Sequence, residues 1–185
     1  MQAQKIIQKI EEIIKRDFLV PAQGGKFLLE EPEAQDYPNT LLKKQGSLLL
    51  YKFDTKNSNE SVFPIFDSRV SNVTTIADYI IFYPHKNDKL FVFICNLKSK
   101  NRNGATAQAQ AGWHFSEYIL KVIQRLFNYP TNMNVEYRSL IFTTNSNTRF
   151  STNIRKEEYT ILEGCGLKSR VLKAGEDCHL DSLCF

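Results

Sequence analysis

The chain has 185 residues, 42% of them hydrophobic and 24% charged, with a formal net charge of +4 at pH 7. These proportions are near globular norms and exclude a disordered, collagen-like or disulfide-scaffold protein, while the length suits one domain with a sizeable core. The longest apolar runs, such as LFVFIC, fall far short of the ~20 residues that cross a bilayer, and MQAQKIIQKIEE is no secretory signal, so a cytoplasmic protein without a membrane partner is expected.

Residues 3 to 18, AQKIIQKIEEIIKRDF, place Ile6, Ile7, Ile10, Ile13, Ile14 and Phe18 at helical spacing, with Lys5, Lys9, Glu12 and Arg16 off that stripe. This predicts an amphipathic first helix. Pro21, Gly24, Gly25, Pro32, Pro38 and Gly46 then predict a long connection with little regular structure. SLLLYKF, 47 to 53, reads as a strand, whereas Pro64 reduces VFPIFDS to an edge or a bend. IADYIIFYP and KLFVFICNLK, joined by HKND, predict an antiparallel hairpin.

After SKNRNG, a second long helix is predicted, with Ala107, Ala111, Phe115, Tyr118, Ile119, Val122 and Leu126 as its apolar stripe. Trp113 falls nearly opposite that stripe, and either packs under the C-terminal segment or meets a partner or a base. VEYRSLIFTTN follows as a strand rich in β-branched and aromatic residues, so the helix before it suggests a crossover packed on the sheet. Beyond residue 145 come the polar NSNTRFSTN, a helix candidate near IRKEEYTILEG and a glycine-punctuated tail. Cys95, Cys165, Cys178 and Cys184 form no CxxC pair and are expected as reduced thiols, and the tail cysteines with His179 fit no usual zinc spacing.

The polar end of the hairpin carries the chemistry. Alternate side chains of a strand share a face, so Asn96 and Lys98 project together while Leu97 points into the opposite layer, and the hairpin brings Asp78 within range. A carboxylate and an amide oxygen are hard ligands of the kind Mg²⁺ accepts. A lysine beside such a metal can steady a nucleophilic water and neutralise charge on phosphorus.

Asp78 followed by Asn96-Leu97-Lys98, inside an order of helix, three strands, helix and strand, resembles the PD-(D/E)XK nuclease superfamily over roughly residues 1 to 145. The resemblance implies an α/β fold with a restriction-endonuclease-like αβββαβ core, a mixed central sheet flanked by helices. Residues 146–185 are then an appendage packed on that core rather than a separate domain. It further implies that Asp78, Asn96 and the Leu97 carbonyl hold Mg²⁺, with Mn²⁺ as a substitute, and that Lys98 serves the attacking water. The second helix would offer Gln108, which shares a helical stripe with Ala111 and Phe115, in preference to Gln110. The first helix would offer Glu11.

The implied activity is cleavage of nucleic acid, DNA before RNA, in restriction, phage defence or repair. Asn96 departs from the family, which usually has a carboxylate there, although some active members carry an amide. A catalytically inactive pseudonuclease, retained as a nucleic-acid-binding or assembly subunit, is therefore the alternative. In KSKNRNG, Lys100 and Arg102 would grip phosphates beside the site, though a solvated loop would have the same composition. NTRFSTNIRK and the group Lys168, Arg170 and Lys173 could extend a basic path. So small a chain leaves little room for target recognition, and a homodimer or a partner subunit is expected.

Overall fold

The computed structural model describes residues 2–31, 39–43, 47–53, 63–67, 69–99, 104–130, 132–144 and 159–185. In chain order its elements are α1 (Gln2–Ile13), β1 (Phe27–Leu29), β2 (Thr40–Lys43), β3 (Leu49–Tyr51), β4 (Tyr79–Pro84), β5 (Leu90–Lys98), α2 (Ala105–Phe127), β6 (Val135–Thr143), β7 (Thr160–Ile161), β8 (Lys168–Lys173) and β9 (Cys178–His179). Among the described residues, no helix is long and apolar enough to cross a membrane.

The isoleucine spacing of α1 buries Ile6, Ile7 and Ile10 on one face, each worth ~1.5–3 kcal/mol. Its first turn is capped from the β4–β5 hairpin, where the Asp88 carboxylate accepts the Gln2 and Ala3 N–H groups at 2.8 and 2.9 Å. The helix stops at Ile13, short of the predicted Phe18. There the chain turns to cover the edge of β3: the Phe18 carbonyl accepts from Lys52 N–H and Val20 N–H donates to the Leu50 carbonyl.

The main sheet has the order β3-β4-β5-β6-β8-β7. Its β3-β4-β5 half is antiparallel and its β5-β6-β8 part is parallel, so the sheet is mixed, as expected. The three predicted strands, the second helix and the strand after it are β3, β4, β5, α2 and β6. Pro64 lies in a bend, the second of the two outcomes read for VFPIFDS.

Both helices lie on one face of this sheet instead of flanking it. Ile6, Ile7 and Ile10 of α1 and Ile119, Leu120 and Ile123 of α2 pack with Ile80, Phe82 and Val92. The opposite face, with Ile81, Phe93, Leu140 and Phe142, is covered by Phe27, Leu29, Leu42, Cys178, Leu180 and Leu183. Central strands that are apolar on both sides need such double cover.

Part of that cover is a second sheet, β1-β2-β9, in the segment read as an irregular connection. Its third strand comes from the tail, a non-local pairing that proline and glycine counting does not register. The Tyr79 hydroxyl pins it down, donating to the Glu30 carbonyl at 2.9 Å and accepting from Glu30 N–H at 3.0 Å. The tail also supplies β8, parallel to β6 from Arg138↔Lys168 to Thr143↔Lys173. Thr160 and Ile161, inside the predicted helix IRKEEYTILEG, form β7 instead because they pair with Ser169 and Lys168; residues 154–158 lie outside the described residues.

The buried face of α2 is rotated from the predicted stripe. Tyr118 and Leu126 are exposed, while Ala105, Ala109, Gly112 and Ser116 join Ile119 against the sheet. Small residues win because the helix lies close to β5: a Cβ on Gly112 would stand 2.7 Å from Ile94 Cγ2 and 3.0 Å from Ala77 Cβ. Hydrophobicity alone cannot reveal a face chosen for closeness.

Candidate functional site

The antiparallel register Tyr79↔Cys95, carried one step further, sets Asp78 beside Asn96 at the carboxyl end of β5. The Asp78 carboxylate there accepts the Leu97 N–H at 2.5 Å, which ties the head of β4 to the end of its neighbour. Leu97 sends its side chain into the opposite core layer, as the alternation requires. Asn96 and Lys98 therefore share the face that carries the helices.

From the first turns of α2, Gln108 reaches this end of the sheet, and its Oε1 accepts a hydrogen bond from Lys98 Nζ. The buried alanines on either side of it, Ala105 and Ala109, hold that turn against β5. Three elements thus contribute Asp78, Asn96, Lys98 and Gln108 to one corner. Gln110, the weaker candidate, is exposed.

Asn96 is fully buried, and among the described residues neither its Oδ1 nor its Nδ2 has a hydrogen-bond partner. A buried polar group left unpaired costs about 1–3 kcal/mol, so a strand otherwise filled with Val, Ile and Phe carries this amide at a loss. Asp78 beside it is 9% exposed. Such an arrangement suits a small cation or an ordered water rather than a bulky ligand.

An orphaned amide oxygen next to a carboxylate fits Mg²⁺, which takes one or two protein oxygens and keeps waters for its remaining positions. Among the described residues, no three His, Cys, Asp or Glu side chains gather. Asp78 and Asn96 would hold the ion, with the Leu97 carbonyl on the backbone between Asn96 and Lys98.

Glu11 lies on an exposed stretch of α1. It borders a cleft of about 420 Å³ lined also by Gln4, Gln8, Leu19, Val20 and Leu49, and its charge bears on the Tyr51 phenol. Burial and that charge push Tyr51 well above its ordinary pKa, and its hydroxyl has no partner among the described residues. Lys100 and Arg102 lie outside the described residues, as does the NTRFSTNIRK cluster.

Trp113 packs against the C-terminal segment, with Leu162, Cys165 and Leu167. The four cysteines are free. Cys165 sits on the helix side of the sheet while Cys178 and Cys184 belong to the other face, which separates the groups a tail zinc site would need. Gly112, which lets α2 lie close against Ile94 and Ala77 one turn after Gln108, is the residue that the apolar pattern missed. A glycine inside an otherwise strong helical run was its one signal. No family model matches the chain, and no curated protein or solved structure matches it either.

Proposed function

We propose that the chain is a Mg²⁺-dependent nuclease of restriction-endonuclease-like fold, hydrolysing phosphodiester bonds of DNA in restriction, phage defence or repair. The observation that carries this reading is the meeting of Asp78, Asn96, Lys98 and Gln108 at one end of β5, with the Asn96 amide buried and unpaired among the described residues. The succession α1, β3, β4, β5, α2, β6 around a mixed sheet supports it.

In this reading Asp78 and Asn96 Oδ1 hold the ion, and the Leu97 N–H fixes the carboxylate in place. Mg²⁺, when bound, supplies Lewis-acid polarisation of a phosphoryl oxygen. Lys98 orients the attacking water and donates to the negative charge that grows on the phosphoryl oxygens. Gln108 holds the Lys98 ammonium at that place, since a lysine stem has four rotatable carbons to immobilise.

One observation favours the second reading, an inactive subunit that binds nucleic acid. Asn96 brings no negative charge and no exposure, so among the described residues Asp78 is the carboxylate placed there to attract a divalent ion. DNA cleavage in Mg²⁺ and Mn²⁺ by the wild type, Lys98→Ala and Asn96→Glu separates the two. The nuclease reading expects a cutting wild type and a silent Lys98→Ala, and cutting that survives Lys98→Ala overturns the assignment. A silent wild type that Asn96→Glu awakens selects the inactive subunit.

A further inference from the structure

We propose that Lys173 is a second phosphate-contacting residue, aligned with Lys98 to hold the nucleic-acid backbone beside the site; this rests on the nuclease reading of that site. The parallel register pairs Lys98 with Thr143 and Thr143 with Lys173, so the three stand in one row at the carboxyl ends of β5, β6 and β8. Ligands of open α/β sheets bind at that end of the strands.

Side-chain alternation places the row on a single face. Leu97, Phe142 and Leu172, the residues just before each member, all pack into the opposite core layer. Lys98, Thr143 and Lys173 therefore turn to the side that carries Asn96 and α2. Two strand spacings, ~9.6 Å in all, separate the backbones of the two lysines, a span that their long stems can close onto neighbouring phosphates of one strand. Thr143 between them is buried and donates to the Ser99 carbonyl at 2.9 Å, so the middle of the row is neutral and tied to the segment that follows Lys98.

The same strand geometry sorts the other two cations of the tail. Lys168 lies five residues back, at the opposite end of β8, where it faces Glu136 at 3.4 Å. Arg170 is buried, 8% exposed, on the other face of the sheet. Lys173 is half exposed and pairs with Glu176 at 2.8 Å, an ion pair that open solvent keeps weak and that a phosphate can displace.

The test is fluorescence anisotropy of a labelled DNA duplex with Ca²⁺ in place of Mg²⁺, across a salt series, for the wild type, Lys173→Gln and Glu176→Gln. Loss of one phosphate contact lowers the slope of log affinity against log salt by about 0.9 and weakens binding by roughly three- to tenfold near physiological salt. Glu176→Gln, which frees the lysine, should bind more tightly than the wild type. In cleavage, Lys173→Gln should raise KM and leave kcat unchanged, which a merely structural role would not do. A wild type that binds with Lys173→Gln indistinguishable from it overturns the Lys173 inference and leaves the nuclease reading standing. A wild type with no salt-dependent binding overturns both.

Discussion

Lys98 Nζ donates to Gln108 Oε1 across the junction of β5 and α2, and this bond joins the strand that carries Asn96 and Lys98 to the helix laid over it. Gln108→Leu keeps the volume of the side chain and removes the acceptor. We expect kcat to fall about 10- to 100-fold through loss of Lys98 orientation, with thermal stability nearly unchanged because the pair is only part-buried. Single-turnover DNA cleavage alongside a melting curve checks both halves.

Asn96→Leu replaces an unpaired buried amide by a side chain suited to its apolar strand. The variant should be more stable than the wild type by about 1–3 kcal/mol in urea unfolding, and should lose Mn²⁺ binding in calorimetry. A destabilised Asn96→Leu would mean that the amide has partners in the folded chain and is not held in reserve for a ligand.

Gly112→Ala adds a Cβ where Ile94 Cγ2 is 2.7 Å away and Ala77 Cβ 3.0 Å away. Overpacking of this kind costs about 1–3 kcal/mol, and relief by lifting α2 off β5 would draw Gln108 from Lys98. Gly112→Ala should therefore lose stability and cleavage together, whereas Gln108→Leu loses cleavage alone. Chemical denaturation and kcat for the two variants make the comparison.

The acid limb of stability should depend on Glu136. Burial pushes its carboxyl up, but hydrogen bonds from Lys89 and Arg138 outweigh that and hold its pKa below the usual carboxylate value. A depressed folded-state pKa means that the stabilisation is fully present above the unfolded value of ~4.3 and is lost as pH falls through the folded value. Arg138, fully buried, also donates to the Leu183 and Phe185 carbonyls, so protonating Glu136 should loosen the C-terminal segment first. Glu136→Gln should lower the melting temperature at neutral pH and flatten its fall below pH ~4; an unchanged acid limb would assign the dependence to other carboxylates.

The hairpin, the second helix and the strand after it were legible because each is a long run with one dominant period, and β4 and β5 emerged within three residues of their predicted limits. Gln108 was named from the resemblance, and it reaches Lys98 although the stripe through Ala111 and Phe115 that supported it is not the fully buried face of α2. What the pattern could not reveal is closeness: Ala105, Ala109 and Gly112 face β5 because they are small, while the larger Tyr118 and Leu126 stand in solvent. Non-local pairing was equally hidden, as β2 finds β9 more than a hundred residues away. The orphaned state of Asn96 is likewise a property of its surroundings, which no spacing encodes.

The most direct measurement is Mg²⁺-dependent cleavage of a DNA duplex by the wild type and by Asp78→Asn. Asparagine at 78 keeps an oxygen to accept the Leu97 N–H, which Asp78 holds at 2.5 Å, and replaces the second carboxylate oxygen and the negative charge by a neutral NH₂. The wild type should cut, EDTA should stop it, and Asp78→Asn should fold normally yet cut about 100-fold more slowly or not at all. Cutting that persists in EDTA, or an Asp78→Asn as fast as the wild type, would contradict a metal-dependent site at the end of β5.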